Sequence, residues 1–298
     1  MVILANQNKN NELVDELSKF LFSKLNEKNM GITKFRTQKA IFQIKMELGE
    51  NHPLFEYLPY YWYYFGPFSN YVADSYYFYN DLNSQKITDL TLNQKEEFKV
   101  IYEYFSELEE IVENLLKNQN YFYKQLHKDI YKYYAPSKCM YSFKFEIFDI
   151  ADKYRLIEDN KGDSLIDTFF KCESKLPFDS YFTEFSDIFS NFTTKLDLIN
   201  EENGLSKHWD ILREPIKKLW CTFAEGLRVQ FKDKVYENMN EQWDLEFNKS
   251  IGILNSYIAK AEELIIGDYS NSETSFNEYT NSQKRILDST IGNYLKSE

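Results

Sequence analysis

Residues 60–79 read YYWYYFGPFSNYVADSYYFY and place six consecutive aromatic residues directly before a Gly-Pro step. Gly66 permits a tight turn and Pro67 fixes the direction in which the chain leaves it, so the stretch divides into two elements around a corner. Because an extended segment points successive side chains to opposite sides, part of the aromatic run is expected to be buried. We expect these rings to hold the corner against the helix that precedes it.

Amphipathic helices are predicted on both sides of this corner. Thr33 can cap a helix over KFRTQKAIFQIKMEL, in which Ile41 and Phe42 belong to a broad apolar face. Residues 49–53, GENHP, end this helix because glycine and proline disfavour its continuation. Ser69 or Asn70 can cap the next helix, YVADSYYFYNDL.

Helical spacing dominates the rest of the chain. Apolar residues recur at intervals of three and four over 98–115, 180–199, 212–227 and 247–265. An earlier helix is predicted from residue 11 to about residue 29, and a last one over 272–295. Pro215 is predicted to lie in a first helical turn, which tolerates proline.

One stretch changes its period. Tyr141, Phe143, Phe145 and Ile147 alternate with polar residues, which is the two-residue repeat of a half-buried strand. The pattern favours a short hairpin near 140–158, with a helix as the alternative.

The fold class is therefore predicted to be mainly α: a multi-helix bundle with a small α/β part at its N-terminus and that short hairpin. A soft boundary at 84–94 divides the chain into an N-terminal domain, 1–90, and a helical domain of long amphipathic helices, 91–298.

Composition limits the classes of function. The chain of 298 residues is 43% hydrophobic and carries a formal net charge of −12, which repels nucleic acid overall. Three widely spaced cysteines match reduced thiols, and no apolar run approaches a signal-peptide core or the roughly 20 residues of a spanning helix. We expect a cytoplasmic protein with no membrane contact.

No motif nominates a reaction. His52, His127 and His208 lie far apart and outside any metal-binding spacing, so they are expected to be packing or surface residues. Glu103, Glu107 and Glu110 share a helix with interspersed lysines, as a solvated face does. The sequence therefore nominates no catalytic residue, metal or cofactor and favours a noncatalytic role, while an enzyme assembled from distant residues stays open.

The aromatic corner is the sharper candidate for a partner-binding site. Tyrosine joins a large apolar ring to a hydroxyl that tolerates water, which suits a protein-recognition anchor. Burial as core with partial exposure is the alternative interpretation. The predicted partner-binding residues are Tyr60, Tyr61, Trp62, Tyr64, Phe65, Gly66, Pro67 and Tyr71.

A second candidate surface is the polar face of the helix before the corner. It carries Lys34, Arg36, Lys39 and Lys45, which could face phosphates in a nucleic-acid contact.

Residues 33–82 resemble the Panacea domain, also called the SocA-like antitoxin domain, which is found in phage-associated proteins. The resemblance rests on a helix, an aromatic stretch with a tryptophan, a Gly-Pro corner and a following helix. Its residues are Gln38, Lys39, Ala40 and Phe42, followed by Trp62, Phe65, Gly66, Pro67 and Tyr71.

The resemblance implies a noncatalytic module of a toxin–antitoxin or phage-defence system that neutralises or docks on a partner protein, such as a toxin or another defence component. Residues 95–298 would then be the helical body that sets partner choice. Two alternatives stay open: a winged-helix DNA-binding regulator, and an all-helical nuclease or toxic effector. A homo-oligomer also stays open.

Overall fold

The computed structural model describes residues 2–83, 98–153, 162–177 and 180–266, which form a mainly helical structure with a two-stranded antiparallel sheet. The mainly α, multi-helix fold is thus confirmed. The helices are α1 (Val2–Glu27), α2 (Lys34–Leu48), α3 (Asn70–Asn83), α4 (Phe105–Leu116), α5 (Leu126–Tyr134), α6 (Met140–Ser142), α7 (Asp149–Asp152), α8 (Gly162–Glu173), α9 (Thr183–Asn203), α10 (Trp209–Gln230) and α11 (Asn240–Ile266). The strands are β1 (Tyr61–Tyr63) and β2 (Gly66–Phe68).

Two sequence predictions fall on residues outside these ranges. The last predicted helix, 272–295, is one of them, and the boundary at 84–94 is the other. The division into domains 1–90 and 91–298 therefore stays a prediction.

Helix α2 begins and ends where the sequence predicts. The Thr33 hydroxyl oxygen accepts the Arg36 N–H at 3.3 Å, and Gly49 ends the helix with a φ of 78°. The predicted start of α1 at residue 11 is wrong, since the helix already begins at Val2. No glycine or proline interrupts the chain between Val2 and residue 11, so the helix can extend over this segment.

The periodic stretch 98–115 is helical only in its second half. All six residues of the predicted apolar face are buried: Phe98, Ile101, Phe105, Leu108, Val112 and Leu115. Helix α4 nevertheless begins at Phe105, because the Glu16 carboxylate accepts three successive backbone N–H groups of residues 99–101 and holds that segment outside the helix.

Pro215 lies inside α10 rather than in its first turn, so that prediction is wrong. The helix begins at Trp209 after a short 3₁₀ turn, Leu205–His208. A proline within a helix removes one backbone hydrogen bond. Its neighbours Leu212 and Ile216 are buried, and their packing outweighs the preference of proline for a first helical turn.

The predicted hairpin near 140–158 is also wrong for residues 140–152, which are helical; residues 154–158 lie outside the described ranges. Here α6 and α7 join through a π-helical turn, Phe143–Phe148. Phe143, Ile147 and Ala151 are fully buried at spacings of four, whereas Tyr141 and Phe145 are only partly buried. The helical period therefore decides the structure, and the two-residue alternation is incidental.

The core joins both ends of the described chain around the hairpin. Its buried residues extend from Leu13 in α1 to Ile258 in α11. Helices α10 and α11 pack along each other, and β1 packs against α10 while β2 packs against α2. Among the described helices, none is both long and apolar enough to cross a membrane.

Candidate functional site

The hairpin is fixed to α2 by a reciprocal pair of hydrogen bonds. Gln38 Nε2 donates to the Ser69 carbonyl at 2.8 Å, and its Oε1 accepts the Ser69 N–H at 2.9 Å. Both residues are fully buried, so the amide of Gln38 satisfies two backbone groups that have no access to water.

The turn itself is held by a buried lysine. Lys39 is 3% exposed, and its Nζ donates to the Pro67 carbonyl at 2.9 Å. Burial lowers the pKa of Lys39 well below its ordinary value, and the nearby charge of Lys144 lowers it further. Gly66 has a φ of 88°, and a methyl group there would lie 2.9 Å from the Tyr131 ring.

A third backbone segment extends the hairpin from the far end of α10. The Trp62 N–H donates to the Phe231 carbonyl, and the Asp233 N–H donates to the Tyr60 carbonyl. The Asp233 carboxylate also accepts the Tyr60 N–H and the Lys45 ammonium, each at 2.7 Å. One carboxylate therefore connects α2, the hairpin and the segment after α10.

A second connection is built on a buried carboxylate of α10. Glu225 accepts hydrogen bonds from the hydroxyls of Tyr63 and Tyr64 and forms an ion pair with Arg228, which in turn pairs with Glu246. Burial raises the pKa of Glu225, while Arg228 and the two hydroxyls oppose that rise. Arg228 also lies over the Tyr63 ring. The cluster links the hairpin to α10 and α11.

Two more basic groups lie beside the turn. His127 packs against Phe35 and Phe145, with ring centroids 4.8 Å and 5.1 Å away. Burial lowers the pKa of His127 well below its ordinary value, and the charges of Lys39 and Lys144 add to this effect. Lys144 Nζ donates to Asp149 at 3.0 Å. Lys144 is buried, and His127 is partly buried.

The other two histidines are also mostly enclosed. His208 is buried, and His52 packs on the Tyr104 ring with its Nε2 3.3 Å from the Glu107 carboxylate. In no part of the described chain do three or more His, Cys, Asp or Glu side chains form a group that could hold a metal ion.

The predicted partner-binding residues lie together, but mostly inside the molecule. Tyr60, Tyr61, Trp62 and Tyr64 are buried, as are Gly66 and Pro67. Phe65 and Tyr71 are partly exposed. The interpretation of the corner as core with partial exposure describes this arrangement, and a role for these residues in partner binding stays a prediction.

The predicted nucleic-acid contacts are largely engaged within the chain. Lys39 and Lys45 form the buried bonds described above, and Lys34 donates to the Tyr77 hydroxyl at 2.8 Å. Arg36 is only partly buried and lies over the Tyr123 ring at 4.7 Å. Only Arg36 of the four is therefore placed where phosphate could approach it readily.

The structure adds groups that the sequence reasoning missed. Asp233 has no local signal, because its partners at Lys45 and Tyr60 are far away in sequence. Glu225 and Arg228 do have a local sequence signal. They are opposite charges three residues apart within the mostly apolar stretch WCTFAEGLRV.

Two open grooves lie away from the hairpin. The first has a volume of about 510 Å³ and is lined by Lys9, Glu12, Pro53, Leu54, Val100, Glu103 and Tyr104. The second, about 430 Å³, lies between α8 and α9 and is lined by Phe170, Glu173, Ser174, Leu176, Pro177, Thr183, Ser186, Asp187 and Ser190. Both volumes are in the range of sites that accept a small ligand or a few side chains of a partner.

Comparisons of the chain with protein-family models, curated proteins and solved structures found no match in any of the three. The resemblance of residues 33–82 to the Panacea domain therefore stays a prediction.

Proposed function

We propose that this chain is a noncatalytic module that docks on, or neutralises, a partner protein in a toxin–antitoxin or phage-defence system. The observation that supports this most directly is the internal use of the polar groups at the corner. Gln38, Lys39 and Asp233 each bind backbone atoms of residues 60–69. Polar groups used in this way stabilise a rigid scaffold. The resemblance to the Panacea domain points in the same direction.

The buried corner moves the expected contact surface to the helices around it. Large apolar side chains are exposed on several of them: Tyr77, Tyr102, Tyr133, Phe170, Leu198 and Leu245. Exposed aromatic residues beside grooves are common anchors of protein–protein contacts. The corner then acts by holding these helices in fixed positions.

The two alternatives have weaker support. The order α2, hairpin, α3 is that of a winged-helix head, but Lys39 and Lys45 are committed to buried bonds. For an enzyme, the nearest candidate is the cluster of Glu225, Arg228 and Glu246, and its groups already bind one another and the hairpin tyrosines.

The proposal is tested by co-expressing the chain with the product of the adjacent gene. We expect a stoichiometric complex in size-exclusion chromatography with light scattering, and relief of any growth defect that the adjacent gene causes alone. An unrelated acidic helical protein of similar size is the control. Separate elution of the two proteins, with no effect on growth, would overturn the proposal.

A further inference from the structure

The groove beside α1 combines an apolar floor with an acidic rim. Leu54 is buried at its base, and Val100 and Tyr104 are partly buried. The rim carries the exposed side chains of Glu12 and Glu103. An apolar depression with a few charged groups at its edge is the usual form of a site that takes a side chain with a long apolar stem and a charged end.

The carboxylates of this rim are available for a new contact. Neither Glu12 nor Glu103 has an ion-pair or hydrogen-bond partner among the described residues. Glu109 and Glu113 of α4 are instead paired with Lys24 of α1 and with Lys28, which follows that helix. Glu12 and Glu103 therefore remain as carboxylates without such a partner among the described residues, at a groove that also holds the Lys9 ammonium.

One more acidic side chain follows closely in the chain. Glu107, in the first turn of α4, has a side chain that is 52% exposed, and its carboxylate lies 3.3 Å from Nε2 of His52. The whole chain adds a formal net charge of −12, which favours approach of a cationic partner over long distances.

The same region already holds one cation on an aromatic ring. Lys9 lines the groove, and its ammonium lies 4.0 Å from the centroid of the Tyr57 ring. Lys9 forms no ion pair with Glu12 or Glu103 among the described residues. The ring of the exposed Tyr102, next to Glu103 in the chain, offers a further π-face of the kind that attracts arginine and lysine.

We propose that this groove docks a basic segment of a partner protein, with an arginine or lysine against Glu12 and Glu103 and an adjacent aliphatic side chain over Leu54 and Val100. The inference rests on the proposed protein-binding function and names the chemistry of the partner. A second copy of this acidic chain, or a nucleic acid, would bring negative charge to the same rim and is disfavoured by repulsion.

A synthetic probe tests the groove without knowledge of the partner. The probe is a fluorescein-labelled peptide of twelve residues that alternates arginine, leucine and serine, and binding to the full chain is followed by fluorescence anisotropy. We expect Glu12→Lys/Glu103→Lys to weaken binding about tenfold, because attraction at the rim becomes repulsion. Replacing leucine by serine in the probe should weaken binding about fivefold, because the apolar contact is lost.

The matched control is Glu184→Lys/Glu201→Lys, which makes the same charge change on exposed residues of α9. This variant should bind the probe within about twofold of the wild-type chain, since rim charges act locally at moderate salt. Equal weakening by both variants, no binding to the wild-type chain, or equal binding of a probe with glutamate in place of arginine would each overturn the proposal. Circular dichroism checks that both variants are folded.

The complex with the adjacent gene product separates this inference from the proposed function. If Glu12→Lys/Glu103→Lys leaves that complex intact, the groove is not the docking site and the protein-binding function stands. If the wild-type chain forms no such complex but binds the basic probe through the rim, the groove stands and the proposed partner is wrong.

Discussion

Substituting Gly66 with alanine should be among the most damaging single-methyl changes in this protein. At this position the backbone has a φ of 88°, which residues with a Cβ rarely adopt. The new methyl carbon would lie 2.9 Å from Cε2 of Tyr131 and 3.3 Å from Nζ of Lys39. Tyr131 is fully buried, so its ring has no solvent-filled space into which it can shift.

Two other glycines separate the two causes of this damage. Gly49 also has a positive φ, 78°, but nothing lies within 4 Å of an added Cβ, so Gly49→Ala introduces backbone strain alone. Gly31 has neither a positive φ nor a close neighbour, so Gly31→Ala introduces neither. All three changes restrict the unfolded chain similarly, and this contribution cancels in the comparison.

The expected magnitudes follow from the two causes. The backbone of Gly49, with φ 78° and ψ 157°, has a conformation that residues other than glycine rarely adopt, so the strain in Gly49→Ala should cost about 1–3 kcal/mol. The steric conflict adds about 1–3 kcal/mol, so Gly66→Ala should lower the free energy of unfolding by about 2–6 kcal/mol. That is a substantial part of the roughly 5–15 kcal/mol that stabilises a folded protein.

Urea denaturation followed by tryptophan fluorescence measures the series. The expected order of stability is Gly31→Ala close to wild type, then Gly49→Ala, then Gly66→Ala. If Gly66→Ala is no less stable than Gly49→Ala, the close approach of the turn to Tyr131 and Lys39 is not a feature of the protein in solution.

Three further outcomes are expected. Burial lowers the pKa of Lys39 below its value in the unfolded chain, so the unfolded chain binds more protons and the wild-type free energy of unfolding rises with pH toward 10.5. Between about pH 7 and about pH 10, urea titrations should therefore show the wild-type chain gaining stability relative to Lys39→Met, and a difference that stays constant with pH would contradict this. Asp233→Ala should lower the free energy of unfolding by about 2–4 kcal/mol, because it leaves the buried ammonium of Lys45 and the backbone N–H of Tyr60 unpaired. If it lowers the melting temperature less than an exposed Asp→Ala change does, this expectation is contradicted. Burial raises the thiol pKa of Cys139 and Cys221 to about 11. Ellman's reagent should therefore react with the buried cysteines only after the protein unfolds. Rapid labelling of the native protein would refute their burial.

The predictable parts of the fold are those with a local cause. Thr33 and Gly49 bound α2 because a capping hydroxyl and a positive φ act within one helical turn. The face of residues 98–115 was predictable for the same reason, since period alone selects the buried side. The start of α4 was not, because it depends on Glu16, a residue more than 80 positions earlier whose carboxylate holds the preceding segment.

The candidate site was predictable in its location but not in its exposure. The sequence identifies the aromatic corner through Gly66 and Pro67, whereas its burial depends on the segment around Phe231 and Asp233, which pairs with β1 from far along the chain. The cations of α2 show the same limit. Lys39 and Lys45 fall on its polar face by period, yet the hairpin and Asp233 cover that face.

The abundance of tyrosine at the corner has a physical explanation that does not require a partner. A buried phenylalanine fills space, while a buried tyrosine fills nearly the same space and also satisfies a polar group. The hydroxyl of Tyr60 donates to the Gln38 carbonyl, and those of Tyr63 and Tyr64 donate to Glu225. Since helices on both sides of the hairpin bring such groups into the core, tyrosine is the residue that can join them there. Aromatic richness in this chain thus predicts where helices meet, and recognition of a partner is better sought on the charged and grooved faces that those helices leave exposed.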